Sequence, residues 1–324
     1  MPRMLNSAVR AFAVLAALAI ACAAPARAEW PERPITIIVP FPPGGPNDLL
    51  GRLLAAELGK KFNQTVIVEN KAGAVGDIGI TAGARAAPDG YTLVEVTGVV
   101  LINPSVRKTA YDPVKDFAPV AYLGAAPNAI ITRPATGINS VADLIKKAKE
   151  NPGKLTYATA GTGSVSQLAV ELLKIRADIS MTHVPFQGAA PAIAAVSAGT
   201  VQAFIVPLSV AKPQAAGGKV KLLAVTSERR EAAAPGVPTA KEEGVPVVIS
   251  GWHVLAVPAG TPADVMQRLN QALNAANAKP QVKAQLLKAG VQPATSSIQE
   301  AQAMVKDEYG RWGEVARKAG LQPQ

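Results

Sequence analysis

Two glycine-rich turns, 42–45 and 161–164, carry the residue types that could bind a charged ligand. The first turn follows an apolar, β-branched run (35–39) and precedes a helix predicted to begin at Pro46 or Asn47. The second lies between the run 155–159 and a helix predicted over 165–176. Both turns leave backbone N–H groups free at the positive end of a helix dipole, which favours an anion such as phosphate or carboxylate.

Motifs for covalent or metal chemistry do not match this sequence. Ser164 directly follows Gly163, and Ser166 has no glycine after it, so the nucleophile-elbow pattern G-x-S-x-G is not met. The two histidines, His183 and His253, do not have zinc-site spacing, and we expect structural roles for both. No phosphate-binding P-loop occurs, and the glycine spacing after 73 does not fit a dinucleotide site. A serine hydrolase using Ser164 or Ser166 with His253 stays an alternative.

The charge of the chain favours acidic small molecules over nucleic acid. The formal net charge is +10, while aromatic residues make up 4% of the sequence. Basic residues form no dense run with interleaved aromatic residues, so we expect no nucleic-acid partner. The densest basic group, Lys146, Lys147, Lys149 and Lys154, is predicted to be a solvated helix face. The remaining positive charge would steer acidic ligands towards the protein.

The first 28 residues have the pattern of a cleaved secretory leader. Arg3 and Arg10 precede an apolar stretch over 11–21, and Ala26-Arg27-Ala28 is typical of a cleavage site. The apolar stretch is too short to span a bilayer. We therefore expect a periplasmic protein cleaved after Ala28, with lipid anchoring at Cys22 as the alternative. Loss of Cys22 would leave no cysteine, and hence neither disulfides nor a thiol nucleophile.

The pattern of strands and helices predicts two similar lobes. Strands over 65–70 and 91–97 alternate with helices, and after short strands at 120–123 and 129–132 the strand, glycine turn and helix unit recurs from 155. A long strand over 247–257 could return the chain to the first lobe, where the last helix (298–319) would end. The predicted organisation is 29–128 for lobe 1, 129–252 for lobe 2 and 253–324 for the returning part of lobe 1.

Nine short segments, taken in order, resemble one family of periplasmic receptors. They are Trp30-Pro31 with Arg33-Pro34-Ile35; Val39-Pro40-Phe41-Pro42-Pro43-Gly44-Gly45-Pro46-Asn47-Asp48; Val68-Glu69-Asn70-Lys71-Ala72-Gly73; Pro88-Asp89-Gly90-Tyr91-Thr92-Leu93; Tyr111-Asp112-Pro113 with Asp116-Phe117; Asn151-Pro152-Gly153-Lys154-Leu155; His183-Val184-Pro185-Phe186 with Gly188; Leu223-Ala224-Val225-Thr226-Ser227; and Pro258-Ala259-Gly260-Thr261-Pro262. The chain resembles the substrate-binding proteins of tripartite tricarboxylate transporters, the Bug family, over nearly all of its predicted mature length.

The resemblance implies an α/β fold of the two-lobed, type II (Venus-flytrap) periplasmic binding protein kind, each lobe a mainly parallel sheet flanked by helices. It implies a monomeric, non-catalytic protein without cofactor or metal. The expected ligand is a small organic acid or amino-acid-like carboxylate, and the expected partners are integral-membrane transporter subunits. A sensor that presents the same closed form to a membrane signalling protein stays open as an alternative.

The resemblance also implies which residues surround the ligand. In the family, backbone amides and ordered waters of the first-lobe loops hold a carboxylate, and the second lobe closes over the other end. Carried onto this sequence, the candidates in lobe 1 are Phe41, Gly44, Gly45, Asn47, Asp48, Gly76, Asp77 and Thr97. Those in lobe 2 are Thr162, Gly163, Ser164, Ser166, Gln187 and Gly188. Among them, Asp48 is interpreted mainly as an acid that holds its loop.

Three positions depart from the family pattern. Val75 restricts the second glycine turn, Asp77 adds a negative charge where the family often has an amide, and Gln187 stands where lysine is frequent. Together they remove positive charge and add negative charge around the predicted cleft. We therefore expect a ligand with one carboxylate and a neutral or cationic far end.

Overall fold

Strand β1 (Ile35–Val39) lies between β2 (Val66–Asn70) and β3 (Thr92–Thr97), and both neighbours run parallel to it. The computed structural model describes residues 30–323, and the chain from Arg33 onward forms one compact unit. The predicted leader and Cys22 lie outside the described residues. The three strands confirm the parallel sheet expected from the alternating pattern, with their carboxyl ends at one edge.

A second parallel group repeats this arrangement further along the chain. Strand β5 (Thr156–Thr159) lies between β6 (Thr182–Pro185) and β7 (Ala203–Pro207). Each group is followed by helices that begin where its strands end. The molecule therefore uses the strand–turn–helix unit in both lobes.

Long antiparallel strands join the two groups into one mixed sheet. Strand β4 (Phe117–Thr132) pairs with β9 (Ser250–Pro258) through Pro127, and with β7 and β8 (Lys221–Val225) from Asn128 onward. The order across the sheet is β2-β1-β3-β9-β4-β7-β5-β6, and both β8 and β10 (Gln292–Pro293) pair with β4. The prediction of two separate strands at 120–123 and 129–132 is wrong, because β4 is continuous. The returning strand also begins at Ser250 and not at 247.

Ten α-helices are formed within the described residues: α1 (Pro46–Phe62), α2 (Asp77–Ala84), α3 (Gly98–Val106), α4 (Val141–Glu150), α5 (Val165–Ala177), α6 (Ala189–Ala198), α7 (Leu208–Ala216), α8 (Ala263–Ala278), α9 (Pro280–Lys288) and α10 (Ile298–Lys318). Helix α3 was not predicted from the sequence. Its segment contains Gly98 and Asn103-Pro104, which are typical of breaks, but Pro104 falls near the end of the helix, where the structure accommodates it.

The C-terminal helix α10 packs against both halves of the sheet. Its N-terminus is fixed by a capping box, in which Ser297 and Glu300 exchange backbone and side-chain hydrogen bonds. Val305 belongs to the core that covers β3 and β9, whereas Trp312 and Val315 belong to the core around Tyr157 of β5. On this helix Ala301, Val305, Trp312 and Val315 are all buried.

Candidate ligand-binding cleft

A cavity of about 550 Å³ lies where the carboxyl ends of the two parallel groups face each other. First-lobe elements contribute Phe41, Asn47 and Thr97 to its wall, and the crossing strands contribute Asn128 and residues 250–253. The second lobe contributes Ser164, Ser166 and residues 204–207. This volume falls within the range of pockets that enclose a small organic molecule.

Five helices present their first turns to this cavity. Lining residues at the helix starts are Pro46 and Asn47 of α1, Gly98 and Val99 of α3, Val165 and Ser166 of α5, Ala189 of α6, and Ser209 and Val210 of α7. Gly45 and Thr97 are the N-cap residues of α1 and α3, and neither provides a side-chain cap. The first backbone N–H groups of these two helices therefore have no capping side chain as a partner. The convergence of helix N-termini produces a positive potential suited to an anion without any cationic side chain.

The first glycine turn is held in place by Asp48. Its Oδ2 accepts hydrogen bonds from the backbone N–H of Gly44 (2.9 Å) and from Nε of Arg52 (3.0 Å), while Oδ1 accepts one from Asn70 (2.9 Å). The bond from Arg52 lowers the pKa of Asp48 to about 2, although burial acts in the opposite direction. Asp48 thus stabilises the turn beside the cavity but does not line the cavity itself. It stabilises the turn by accepting the hydrogen bond of the Gly44 N–H.

Asp77 has a similar structural role in the second turn. Its Oδ1 accepts hydrogen bonds from Nδ2 of Asn103 (2.7 Å) and from the hydroxyl of Tyr111 (2.8 Å). Asn103 also donates to the carbonyl oxygen of Val75 (3.1 Å), so that helix α3 holds this loop. Burial, with the charge of Asp77, raises the pKa of Tyr111, and the phenol therefore stays a hydrogen-bond donor.

Val75 presents its side chain to the cavity from a strained backbone. Its φ of +56° lies in the left-handed region, which β-branched residues rarely adopt, and its side chain is 49% exposed. Val75 lines the cleft directly, a role that the sequence analysis did not assign to it. Strain of this kind persists where the surrounding structure imposes it, here through the Asn103 bond to its carbonyl oxygen.

Of the fourteen predicted ligand residues, five line the cavity: Phe41, Asn47, Thr97, Ser164 and Ser166. The other nine lie outside its lining: Gly44, Gly45, Asp48, Gly76, Asp77, Thr162, Gly163, Gln187 and Gly188. Gly163 packs against Val106 and donates its N–H to Gln167 (2.7 Å). Contact between these nine residues and a ligand stays a prediction.

A buried polar cluster that the sequence analysis missed lies behind the first-lobe wall. Glu95 is 1% exposed, and its Oε1 accepts hydrogen bonds from Nδ2 of Asn47 (3.0 Å) and Nδ1 of His253 (2.8 Å). Its Oε2 and the hydroxyl of the neighbouring Thr97 have no hydrogen-bond partner. Asn47, Thr97 and His253 reach the cavity, whereas Glu95 lies behind them. The feature of the sequence that could have indicated this cluster is a single acid, Glu95, within the otherwise apolar run Leu93–Val96.

The rest of the wall is mainly apolar and carries no lysine or arginine. The apolar lining residues include Val99, Ile102, Phe204, Ile205, Val206 and Trp252, and His253 is the one ionisable side chain among the residues that line the cavity. The predicted basic group lies elsewhere: Lys146 and Lys149 border an open depression on helix α4. Recognition in this cavity therefore depends on dipoles, hydroxyl and amide groups, and apolar contact.

Serine-based catalysis has little geometric support within residues 30–323. The hydroxyls of Ser164 and Ser166 lie 2.9 Å apart, and Ser166 accepts a hydrogen bond from the N–H of Ala160. Neither described histidine is hydrogen-bonded to either serine: His253 contacts Glu95, and His183 contacts Thr159 (2.7 Å). Burial lowers the pKa of His183. A serine, base and acid arrangement is thus not formed in this part of the chain.

Residues 30–323 contain neither a cluster of metal ligands nor a helix suited to span a membrane. No group of three or more histidine, cysteine or acidic residues is arranged to hold a metal ion there. Among the helices described, none has both the length and the apolar composition needed to cross a membrane.

Comparison with known proteins identifies relatives across most of the chain. The model of the tripartite tricarboxylate transporter family receptor matches residues 50–321. Protein BugT of Bordetella pertussis is 34% identical over 303 residues, which cover 92% of this chain and 93% of BugT.

Solved structures agree with this assignment. Rpa4515 of R. palustris, solved with adipate, is 34% identical with a TM-score of 0.76, and the match covers 91% of this chain and 100% of that one. MatC from Rhodopseudomonas palustris, with bound malate, is 33% identical with a TM-score of 0.71, covering 89% and 100% respectively. The fold is therefore the two-lobed α/β fold of periplasmic binding proteins, and the chain belongs to the Bug family of tripartite tricarboxylate transporter receptors.

Proposed function

We propose that this protein captures a monocarboxylate with a neutral, largely apolar body in the periplasm and delivers it to a membrane transporter of the tripartite tricarboxylate type. The observation that carries the proposal is the composition of the cleft. Five helix N-termini meet there, but the cavity lining includes no lysine or arginine and most of its surface is apolar.

The charge balance favours one carboxylate over two. Helix N-termini and unpaired N–H groups stabilise a single anionic end, each by about 0.3–1 kcal/mol at an exposed site and more when buried. A second carboxylate at the far end would lie against apolar side chains such as Ile205 and Val206. Burial of a charge without a partner is costly, so a dianion would bind less well. Adipate in the Rpa4515 structure and malate in the MatC structure each carry two carboxylates. The ligand proposed for this chain would differ from them in carrying one.

A matched pair of acids tests the proposal. Hexanoate and adipate have the same six-carbon chain and differ in one carboxylate, so their comparison isolates the second charge. A thermal-shift series followed by calorimetric titration should show tighter binding of hexanoate, or of phenylacetate, than of adipate. A ligand at 100 times its Kd adds about 2.7 kcal/mol to the free energy of unfolding, which is readily detected. Tighter binding of adipate would contradict the monocarboxylate assignment, and no binding of any acid would contradict the receptor function.

Capture would require the two lobes to close around the ligand. The predicted lobe boundaries, 29–128, 129–252 and 253–324, are supported by β4, whose partner changes from β9 to β7 between Pro127 and Asn128. The start of β9 at Ser250 supports a second crossing close to the predicted return at 253. A smaller radius of gyration in solution scattering with ligand would support closure at these crossings. An unchanged radius at saturation would count against it.

Delivery to a transporter and periplasmic location rest on the family. Its solved relatives include periplasmic binding proteins, and the leader pattern at 1–28 agrees with export. N-terminal sequencing of the exported protein should give Glu29 as the first residue, whereas a lipid-modified Cys22 would support the alternative. Deletion of the gene should abolish uptake of the bound acid. Loss of a transcriptional response, with uptake unchanged, would favour the sensor alternative.

A further inference from the structure

The buried acid behind the cleft wall is not explained by the fold alone. Glu95 is almost fully buried, yet one of its two oxygens has no hydrogen-bond partner. A buried carboxylate is costly unless a cation or a full set of donors accompanies it. The group in contact with Glu95 that can become a cation is His253, which lines the cavity. The pair is therefore placed to respond to the charge of a ligand.

The strand register places the side chain of His253 at the cavity wall and that of Glu95 behind it. In the antiparallel pairing of β3 and β9, Thr97 lies opposite His253. Glu95 is two residues before Thr97 and so projects from the same face of the sheet. The imidazole thus separates the carboxylate of Glu95 from the cavity. Thr97, 7% exposed as a residue, belongs to the same wall, and its buried hydroxyl has no hydrogen-bond partner.

The contact with Glu95 also fixes the orientation of the imidazole. An ionised carboxylate can only accept, so Nδ1 of His253 carries a proton in this contact. This arrangement leaves Nε2 as the ring nitrogen available to the cleft. In the neutral ring Nε2 presents a lone pair, which repels a carboxylate, whereas a second proton converts it into a charged donor.

Other charged groups close to this wall are already paired. Asp48, next to Asn47 on helix α1, is bonded to Arg52. On the opposite face of the sheet, Glu308 of α10 accepts from the indole of Trp252 and pairs with Arg311. Strand β4, which pairs with β9 beside His253, has Gly124 in register with it. Glu95 is thus the charged group that directly contacts His253 in the described structure.

We propose that Glu95 is a positioning residue that holds His253 at the cleft, and that this pair takes up one proton from solvent onto Nε2 when a carboxylate binds. The inference rests on the proposed function, since it assumes that the ligand anion lies beside Thr97 and His253. Its consequence is an affinity that falls as pH rises, by up to about tenfold per pH unit. Glu95 would hold the imidazole in place without touching the ligand.

Two histidines in the whole chain make a direct test feasible. In protein labelled at histidine Cε1, His183 and His253 give two ring signals, and His253→Gln assigns them by removing one. Saturation with the tightest binder among hexanoate, benzoate, phenylacetate and adipate at about pH 7.5 should move the His253 signal to its protonated position. His183, bonded to Thr159 away from the cavity lining, is the internal control and should not move. A His253 signal that stays neutral in the saturated complex would overturn the proposal.

Calorimetry supplies an independent readout. Titrations in buffers of different ionisation enthalpy should show uptake of close to one proton per ligand in the wild type, and none in His253→Gln. Glu95→Gln should retain the fold and lose about tenfold in affinity or more at neutral pH, as a charged hydrogen bond is removed. The affinity that Glu95→Gln loses at neutral pH should return at lower pH. A purely structural defect would not show this recovery. Tight binding without proton uptake would refute the inference but leave the receptor function intact; absence of binding by all four acids would refute both.

Discussion

Oδ2 of Asp48 lies 2.9 Å from the backbone nitrogen of Gly44, so the acid of the first helical turn holds the glycine turn that precedes it. The same carboxylate binds Arg52 and Asn70, and Asn70 donates to the carbonyl oxygen of Phe41 (3.2 Å). Phe41 lines the cavity, so this network links the position of the cleft wall to a side chain outside it.

Removal of the charge at Asp48 should destabilise the protein. Asp48→Asn loses the charged hydrogen bond from Arg52 and replaces an acceptor of the Gly44 N–H, with an expected loss of about 1.5–3 kcal/mol in the free energy of unfolding. Urea denaturation measures the change. Asp264→Asn is the matched control, because Asp264 is an exposed acid in the first turn of α8, and its loss should be smaller than about 1 kcal/mol.

The contribution of Asp48 should depend on pH. Its pKa is lowered in the folded state to about 2, so it adds stability above the ordinary carboxyl range, and that stability is lost as pH falls through about 2. The difference in free energy of unfolding between wild type and Asp48→Asn should therefore be constant above about pH 5 and shrink below about pH 4. A difference that stays constant down to about pH 2.5 would contradict this role.

Relief of backbone strain at Val75 should stabilise the second turn. Val75 has a positive φ, so Val75→Gly removes a side chain that is unfavourable in that conformation, and we expect the free energy of unfolding to rise by about 1 kcal/mol or stay equal. Val99→Gly, at another cavity-lining valine but inside helix α3, should instead cost about 1 kcal/mol. Chemical denaturation compares the two. Equal losses in both variants would show that the strain is not significant.

Ser164 should matter for stability and not for hydrolysis. Its hydroxyl caps helix α5 by accepting from the N–H of Gln167, so Ser164→Ala should lower the free energy of unfolding by about 1 kcal/mol. Hydrolysis of a 4-nitrophenyl ester by wild type should not exceed that by Ser164→Ala and Ser166→Ala, since neither serine contacts a histidine. Ester turnover that disappears in either variant would revive the hydrolase alternative.

Local patterns predicted the parts of the fold that local chemistry determines. Pro46 at the first helical position, after Gly45, marked the start of α1. Strand β4 was divided in the prediction because Gly124 and Pro127 resemble breaks. In the sheet, both are accommodated by the pairing with β9, which the sequence around them does not reveal.

The candidate site was predictable only in part for the same reason. The helix starts at Asn47 and Ser164 were visible as glycine turns, and both line the cavity. The role of Glu95 depends on His253, which lies 158 positions away in sequence and approaches through the antiparallel return of β9. Asp48, interpreted from the sequence mainly as the acid that holds its loop, accepts hydrogen bonds from Gly44 and Arg52. The oxygen Oδ1 of Asp77 accepts hydrogen bonds from Asn103 and Tyr111, partners that the sequence does not reveal.

Strand β4 has a further consequence for the architecture. The first part of β4 completes the sheet of one lobe, and its last part completes the sheet of the other. Neither lobe can therefore be produced as an independently folding domain. A cut at Asn128 would expose unpaired strand edges on both fragments, which promotes aggregation. Separately produced fragments should therefore be recovered as soluble material only when they are made together and reassemble.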